Sequence, residues 1–126
     1  MPAFQPILAL QGRQILIVED EILIAMELEG LLRGKGCTII GPAPSAKLAL
    51  ALLDRAKPDA AVLDLNLNGE PSRVVAEALV DKKIPFVIVS GYTGAQINEP
   101  LLQQAPRLSK PVDQLRLLRE LTDLLP

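Results

Sequence analysis

Short apolar runs alternate with longer segments of helical period along most of this chain. Runs that are apolar throughout, rather than alternating with polar residues, suit strands that helices cover on both faces. Strands and helices that alternate in this way are typical of βαβ units and of a parallel sheet. The sequence therefore predicts an α/β fold of the (βα)5 type, which is a doubly wound parallel sheet of five strands.

Five strands and five helices follow from these runs. The strands are expected near Gln14 to Val18, Thr38 to Gly41, Ala60 to Leu63, Phe86 to Val89 and Arg107 to Ser109. The helices are expected over Glu21 to Lys35, Ser45 to Arg55, Ser72 to Asp81 and Val112 to Leu125, with a weaker one around Gln96 to Gln104. The first helix has acids in its opening turn and Gly34 and Gly36 at its end, as the helix dipole and the left-handed C-cap favour. Ser45 and Ser72 are the predicted N-caps.

Length and composition indicate a single soluble domain. A chain of 126 residues with 49% hydrophobic content is large enough to fold around a hydrophobic core without disulfides or a structural metal. We expect residues 14–126 to form this domain and residues 1–13 to form an N-terminal arm, whose apolar residues Phe4, Ile7, Leu8 and Leu10 pack on the domain or on a partner. The single cysteine, Cys37, precludes an internal disulfide and is expected in the core.

Several classes of function are disfavoured by composition. No apolar stretch approaches the roughly 18 residues of a membrane span, and the first residues lack the features of a signal peptide. We therefore expect a cytoplasmic protein. A net charge of −2 without a basic block argues against direct nucleic-acid binding. Histidine is absent, so any chemistry must come from carboxylates, hydroxyls and lysine.

Polar side chains follow four of the predicted strands at the point where each strand ends. They are Glu19 and Asp20, then Asp64, Ser90 and Lys110. Ligands of open parallel sheets bind beyond the carboxyl ends of the strands. Carboxylates crowded there repel by about 4 kcal/mol per pair at 4 Å and an effective dielectric near 20. Oxygen ligands favour Mg²⁺, or Mn²⁺, as the cation that relieves this repulsion.

Each of these residues has a purely structural alternative when it is considered alone. Asp64 could be a helix cap or a loop acid, Ser90 a turn residue and Lys110 a solvated surface charge. The cluster Glu19, Asp20 and Glu21 could simply favour a helix N-terminus. Their joint placement at four strand ends favours a site instead. The set matches phosphoryl transfer to a carboxylate, which requires positioning and charge stabilisation rather than acid–base groups.

Four segments together resemble the signature of the response-regulator receiver domains of bacterial two-component systems. They are Ile15 to Glu21, Val62 to Asn66, Val87 to Gly91 and Leu108 to Pro111, and the resemblance extends over about residues 14 to 125. It implies a flavodoxin-like, CheY-like sheet with the strand order 2-1-3-4-5.

The resemblance also implies the role of each carboxylate. Asp64 would be the phosphoacceptor, which receives a phosphoryl group from a histidine kinase or a phosphotransfer protein. Asp20 would bind Mg²⁺ directly, together with Asp64. Glu19 would bind it through water, and Asn66 would offer its backbone carbonyl.

The remaining motif residues would form the switch. By the same resemblance, Ser90 would bond the phosphoryl group and Lys110 would pair with it. The bond between Lys110 and Pro111 would be a cis peptide. Phosphorylation would then change the surface that the domain presents to its partners.

Two features depart from the usual receiver pattern. Arg107 stands where most receivers carry an aromatic residue that reports phosphorylation, and a guanidinium is unsuited to the same burial. We hypothesise that Tyr92 takes part in the readout; its alternative is a surface tyrosine that shields the site. The hypothesis fails if Tyr92→Ala leaves both partner affinity and phosphoryl lifetime unchanged.

The segment Ile88 to Tyr92 resembles, in part, an atypical subgroup of stand-alone receivers with a Phe-Ala-Thr-Gly-Tyr-like motif.

The last predicted helix has an unusually wide apolar face. Its residues Leu115, Leu118, Leu121 and Leu125 form an expected core stripe, which Leu117 and Leu124 widen. The excess suggests a partner or homodimer face, or packing against the first helix or the arm.

The leading interpretation is a single-domain response regulator without an output domain, not an enzyme beyond limited catalysis of its own phosphorylation and dephosphorylation. It would act through phosphorylation-dependent protein contacts, or as a phosphorelay intermediate or phosphate sink. One alternative is a metal-dependent phosphohydrolase with an aspartyl nucleophile. Such enzymes place a second aspartate two residues after the nucleophile, where this chain has Asn66. The other alternative is a receiver-like interaction module that is never phosphorylated.

Overall fold

The computed structural model describes residues 9–67, 70–91 and 105–126. Its five main strands are β1 (Gln14–Val18), β2 (Thr38–Ala43), β3 (Ala60–Asp64), β4 (Phe86–Ser90) and β5 (Arg107–Ser109). Its helices are α1 (Ile22–Gly34), α2 (Ala46–Arg55), α3 (Arg73–Asp81) and α4 (Gln114–Leu124). A short antiparallel pair joins Asn66–Leu67 to Glu70–Pro71. The helix predicted around Gln96 to Gln104 falls outside the described residues.

The main strands form one parallel sheet in the order β2-β1-β3-β4-β5. This confirms the predicted (βα)5 architecture and the strand order 2-1-3-4-5. The chain runs outward from β1 to β2 and then crosses to β3 on the other side of β1. The strand order therefore reverses between β1 and β3, and in sheets of this kind ligands bind beyond the carboxyl ends of the two strands at that point.

Helices cover both faces of the sheet, and each face has its own core. On one face, Leu16 and Val18 of β1 pack with buried residues of α2 and α3, such as Leu53 and Leu79. On the other face, the alternate residues of β1 pack with buried residues of α1 and α4. Successive side chains of a strand point to opposite faces, which is why β1 is apolar at every position after Gln14.

The start of α1 differs from the prediction. No acidic residue lies in the first turn, and Glu21 stands at the N-cap position in an extended conformation without a capping bond. Its backbone N–H instead donates to Glu19 Oε2 at 3.1 Å. The expectation of acids in the opening turn was therefore wrong, because the helix begins one residue later than predicted and leaves Glu21 at the N-cap.

The two serines predicted as N-caps behave differently. The Oγ of Ser45 accepts a hydrogen bond from the backbone N–H of Leu48 at 3.2 Å, so Ser45 caps α2 as predicted. Ser72 precedes α3 but makes no side-chain cap bond. Its hydroxyl donates to the backbone carbonyl of Asp64.

The apolar face of α4 is oriented differently from the expected stripe. Leu117, Leu118 and Leu121 are buried, whereas Leu115 is 57% exposed. Leu117, which was expected only to widen the apolar face, is therefore part of the core, and Leu115 is not. Contact with Leu108 of β5 and with α1, rather than the apolar pattern alone, determines which leucines turn inward.

A bulge at the end of β2 shapes the chain beside β1. Gly41 has a φ of +93°, and a Cβ added there would lie 2.7 Å from the backbone nitrogen of Ala43. Glycine is therefore required at this position. The peptide between Gly41 and Pro42 is cis, and β2 continues to Ala43. The carbonyl of Ala43 accepts a hydrogen bond from the N–H of Glu19 at 2.9 Å.

The segment before β1 packs against the domain. Leu10 is fully buried, and its carbonyl accepts a hydrogen bond from the Sγ of Cys37 at 3.4 Å. Cys37 is itself buried, as predicted, and burial raises the pKa of its thiol. Phe4, Ile7 and Leu8 fall outside the described residues. In the described ranges, no helix combines the length and the apolar character needed to cross a membrane.

Candidate functional site

The carboxyl ends of four parallel strands meet at one edge of the sheet. Glu19 and Asp20 directly follow β1, and Asp64 is the last residue of β3. Ser90 is the last residue of β4, and Lys110 directly follows β5. The sheet therefore brings together side chains that are far apart in sequence.

Lys110 is the cation at the centre of this group. Its Nζ donates to Glu21 Oε1 at 2.9 Å and to Glu19 Oε2 at 3.3 Å. The same nitrogen lies 3.1 Å from Glu19 Oε1 and 3.5 Å from Asp64 Oδ2. One lysine thus contacts three carboxylates, which leaves an excess of negative charge at the site.

Three carboxylates are close enough to share one metal ion. Oxygen atoms of Glu19, Asp20 and Asp64 all lie within 4.8 Å of one another. Glu19 Oε1 is buried and, among the described residues, accepts no hydrogen bond, although it lies close to Lys110 Nζ. Buried oxygen atoms usually have a donor or a cation. The oxygen-only ligand set and this oxygen both fit a hard divalent cation such as Mg²⁺.

The environment of Asp64 disfavours its ionised form. Burial raises the pKa of Asp64 to about 8, and hydrogen bonding and repulsion from Glu19 and a hydrogen bond with Asp20 act in the same direction. The charge of Lys110 only partly opposes this rise. Asp64 therefore holds a proton near neutral pH until a further cation favours its carboxylate form.

Lys110 remains charged. Burial alone would lower the pKa of Lys110, but the hydrogen bond to Glu21 and the charges of Asp64 and Glu19 outweigh it. The pKa of Lys110 therefore lies above its ordinary value. A fixed positive charge beside Asp64 suits the stabilisation of a transferring phosphoryl group.

The other predicted site residues have different surroundings. Ser90 is buried, and its backbone carbonyl accepts a hydrogen bond from the N–H of Lys110 at 2.8 Å. The backbone of Asn66 belongs to the short antiparallel pair, opposite Pro71. Arg107 is exposed in β5. Tyr92 lies outside the described residues.

The peptide bond between Lys110 and Pro111 is cis. This bond lies just beyond the end of β5, where Ser109 pairs with Ser90 of β4.

Two side-chain contacts at the site are not predicted by the sequence. Glu21 belongs to the acidic cluster that follows β1 and has no predicted role of its own, yet its carboxylate accepts a hydrogen bond from Lys110. Ser72 was interpreted as a cap, yet its hydroxyl binds the main chain of Asp64. No sequence pattern indicates either contact, because both depend on the direction of a side chain in the folded sheet.

Comparison with known proteins agrees with this geometry. The family model described as response regulator receiver domain matches residues 15–122. The transcriptional regulatory protein PdtaR of Mycobacterium tuberculosis is 32% identical over 88 residues, which is 69% of this chain and 43% of that protein. The phyllosphere-induced regulator PhyR of Methylorubrum extorquens is 31% identical over 101 residues, which is 78% of this chain and 38% of that protein. The chain thus spans less than half the length of these two curated relatives.

Solved structures extend the comparison to the whole fold. The solution structure of SdrG from Sphingomonas melonis Fr1 is 40% identical, with a TM-score of 0.78, and covers 90% of this chain and 96% of that one. The crystal structure of PhyR from Brucella abortus is 26% identical, with a TM-score of 0.81, and covers 98% of this chain and 51% of that one. The family model and these relatives confirm the resemblance: the chain belongs to the family of response regulator receiver domains.

Proposed function

We propose that Asp64 accepts a phosphoryl group from a histidine kinase or a phosphotransfer protein, and that the chain signals through its phosphorylated form. The observation that carries this proposal is the joint position of Asp64, the carboxylates of Glu19 and Asp20, and Lys110 Nζ, 3.5 Å from Asp64 Oδ2. No single one of these contacts is specific to phosphoryl transfer, but the set supplies an acceptor, a cation site and a fixed positive charge.

The transfer itself requires Asp64 to be ionised. An Asp64 oxygen forms a bond to phosphorus while the bond between phosphorus and the donor histidine nitrogen breaks, and the imidazole keeps the electron pair. Bound Mg²⁺ would favour the carboxylate form and neutralise charge on the phosphoryl oxygens. Glu19, Asp20, Asp64 and the backbone carbonyl of Asn66 would hold it. Lys110 is placed to pair with a phosphoryl oxygen.

The donor protein needs a surface beside Asp64. Ile22, Leu23 and Met26 on the first turns of α1 are 72%, 77% and 60% exposed. They follow directly on Glu21, whose carboxylate contacts Lys110. Exposed apolar clusters of this kind mark protein-binding surfaces. As part of the proposal, the phosphodonor docks on this apolar cluster and so reaches Asp64.

The output of the phosphorylated form belongs to the same proposal. Phosphorylation adds roughly one negative charge and strong acceptor oxygens at Asp64. Ser90 and Lys110 are the groups expected to respond, with Tyr92 rather than Arg107 in the readout. The result would be a phosphorylation-dependent contact with a partner protein, or passage of the phosphoryl group along a relay or to a sink.

A labelling experiment tests the acceptor. The protein is incubated with Mg²⁺ and acetyl phosphate, and intact mass is measured. We expect a gain of one phosphoryl group that is stable in acid and labile in base, and that is lost on chelation and in Asp64→Asn. Asp54→Asn is the matched control, because Asp54 is an exposed aspartate of α2. Labelling that persists in Asp64→Asn, or that never occurs in the wild type, contradicts the proposal.

A further inference from the structure

Four polar or charged side chains are buried in the part of the chain that the structure describes: Glu19, Asp64, Ser90 and Ser72. The first three belong to the site described above. Ser72 is 1% exposed, and the proposed phosphoryl transfer gives it no role. A buried hydroxyl needs a partner, and the partner of Ser72 lies at the phosphoacceptor.

Ser72 does not perform the usual task of a serine at the start of a helix. The backbone N–H groups of Val75 and Ala76 donate to its carbonyl oxygen, so its backbone begins α3. Its Oγ accepts no capping bond, in contrast to the Oγ of Ser45. The hydroxyl proton of Ser72 is donated instead to the backbone carbonyl of Asp64.

The carbonyl of Asp64 lies where the strand ladder ends. The pairing of β1 with β3 stops at Val18 and Leu63. Asp64 is thus one residue beyond the last pair of this ladder, and the hydroxyl of Ser72 supplies a donor to its carbonyl.

The peptide unit that follows Asp64 is consequently held at both ends. Its carbonyl accepts from Ser72, and its N–H, which belongs to Leu65, donates to the carbonyl of Val89 at 3.0 Å. Two hydrogen bonds in opposite directions fix the plane of a peptide. The orientation of that plane sets the direction of the Asp64 side chain and the path of the chain toward the carbonyl of Asn66.

We propose that Ser72 is a positioning residue for phosphoryl transfer, because its hydroxyl fixes the main chain of Asp64 so that the carboxylate faces the cation site and Lys110. This inference rests on the proposed function of Asp64. Ser72 touches neither the phosphoryl group nor the metal and acts only through the Asp64 peptide. Misplacement of a reacting group by about 1 Å costs up to about 100-fold in rate, so a partly released peptide is expected to have a measurable effect.

The test compares Ser72→Ala with Ser45→Ala. Each variant removes one serine hydroxyl beside the start of a helix, but only Ser72 contacts Asp64. Phosphorylation rates are measured with acetyl phosphate over a range of donor and Mg²⁺ concentrations, at a temperature where circular dichroism shows each variant to be folded. We expect Ser72→Ala to lower the maximal rate roughly tenfold and to weaken Mg²⁺ binding in calorimetry. The donor concentration at half-maximal rate should change less than the maximal rate.

Conservative variants separate positioning from general destabilisation. Ser72→Thr keeps a hydroxyl and should recover most of the rate. Ser45→Ala should lower the thermal midpoint while keeping the wild-type rate. A folded Ser72→Ala that is phosphorylated within about twofold of the wild-type rate overturns the proposal, and so does an equal loss of rate in Ser45→Ala.

Two further results remain decisive. If Ser72→Ala does not fold, Ser72→Cys replaces the hydroxyl by a weaker donor of similar shape. Its rate should then fall clearly below that of the wild type, and an unchanged rate overturns the proposal. The wild type and Asp64→Asn are assayed alongside. Absence of Asp64-dependent labelling in the wild type overturns the proposed function and this inference together, whereas labelling that is insensitive to Ser72 overturns only the inference.

Discussion

The ion pairs on the helix surfaces and those at the carboxyl ends of the strands use the same chemical groups in very different surroundings. Arg33 and Glu29 on α1 lie 2.8 Å apart, with side chains that are 54% and 28% exposed. Lys110 and Glu19 lie 3.1 Å apart, with side chains that are only 14% and 1% exposed. The shorter pair is screened by water, whereas the longer pair is not.

This contrast shows that burial, rather than distance, decides how strongly a charge depends on its neighbours. Loss of a partner on the helix surface leaves a charge that water solvates. Loss of a partner at the strand ends leaves a charge with little access to water, which is costly. By the same dependence, any charge added to the strand-end cluster would change its energy far more than a charge added to the helix surface. Three predictions test this difference, from the largest expected effect to the smallest.

The largest effect is expected from pH in the metal-free protein. The pKa of Asp64 is about 8 in the folded protein and has an ordinary value of 3.8. Between these values the folded state keeps a proton that the unfolded chain has released, so the free energy of unfolding falls as pH rises. One pKa unit corresponds to about 1.4 kcal/mol, which makes the total change several kcal/mol.

Urea unfolding in EDTA from pH 4 to pH 9 measures this change. Asp64→Asn should flatten the curve and be more stable than the wild type at pH 8. Mg²⁺ should raise the stability of the wild type most at high pH, because the proposed site would hold it through ionised carboxylates. The raised pKa of Lys110 affects the free energy of unfolding only at much higher pH. There Lys110 loses its proton, and the stabilisation that its charge gives the folded state is lost. An identical slope in Asp64→Asn would show that Asp64 is not the group responsible.

A smaller but still large effect is expected from Lys110→Met. This change keeps the apolar stem but leaves Glu19, which is 1% exposed, without its cation. Removal of one partner from a buried ion pair costs about 3 kcal/mol or more. Unfolding at pH 7 should show this loss in EDTA and a partial recovery in Mg²⁺. A loss below about 1 kcal/mol would mean that the strand-end cluster behaves like a surface pair.

The smallest effect is expected from Arg33→Gln on α1. An exposed pair of this spacing contributes about 0.3–0.5 kcal/mol to stability. The same unfolding measurement should therefore detect a change near its own precision, and added salt should reduce it further. A loss as large as that of Lys110→Met would remove the distinction between the two regions.

The architecture could be predicted from the sequence because each buried strand is apolar at nearly every position. β1 and β5 begin and end where the apolar runs predict, and β3 and β4 each extend one residue further. These extra residues are Asp64 and Ser90. They continue the ladder at the edge of the sheet where the candidate site lies. Hydrophobic patterns end a strand at the first polar residue, so they exclude a polar residue that still pairs through its backbone.

The set of strand-end side chains could also be predicted, since parallel strands place their carboxyl ends at one edge. The contacts of Glu21 and Ser72 could not. Both residues stand at a helix boundary, where a capping role is the usual expectation. In each case the side chain bonds to a residue that is distant in sequence instead of capping the helix: Glu21 to Lys110 and Ser72 to Asp64. No local sequence pattern identifies such a partner.

The leucines of α4 show a similar limit. The apolar face of this helix is too wide for a pattern to decide which part of it turns inward. Packing against β5 and α1 buries Leu117 and leaves Leu115 exposed.

The position of Lys110 directly after β5 has a consequence for the synthesis of the protein. During synthesis, Glu19, which follows β1, and Asp64, which ends β3, leave the ribosome before the lysine that they share. Until β5 adds to the edge of the sheet, a nascent chain that has paired β1 with β3 must hold its carboxylates together without their lysine. Protons or dissolved cations are then the available counter-charges, so docking of β5 also completes the charge balance of the nascent domain.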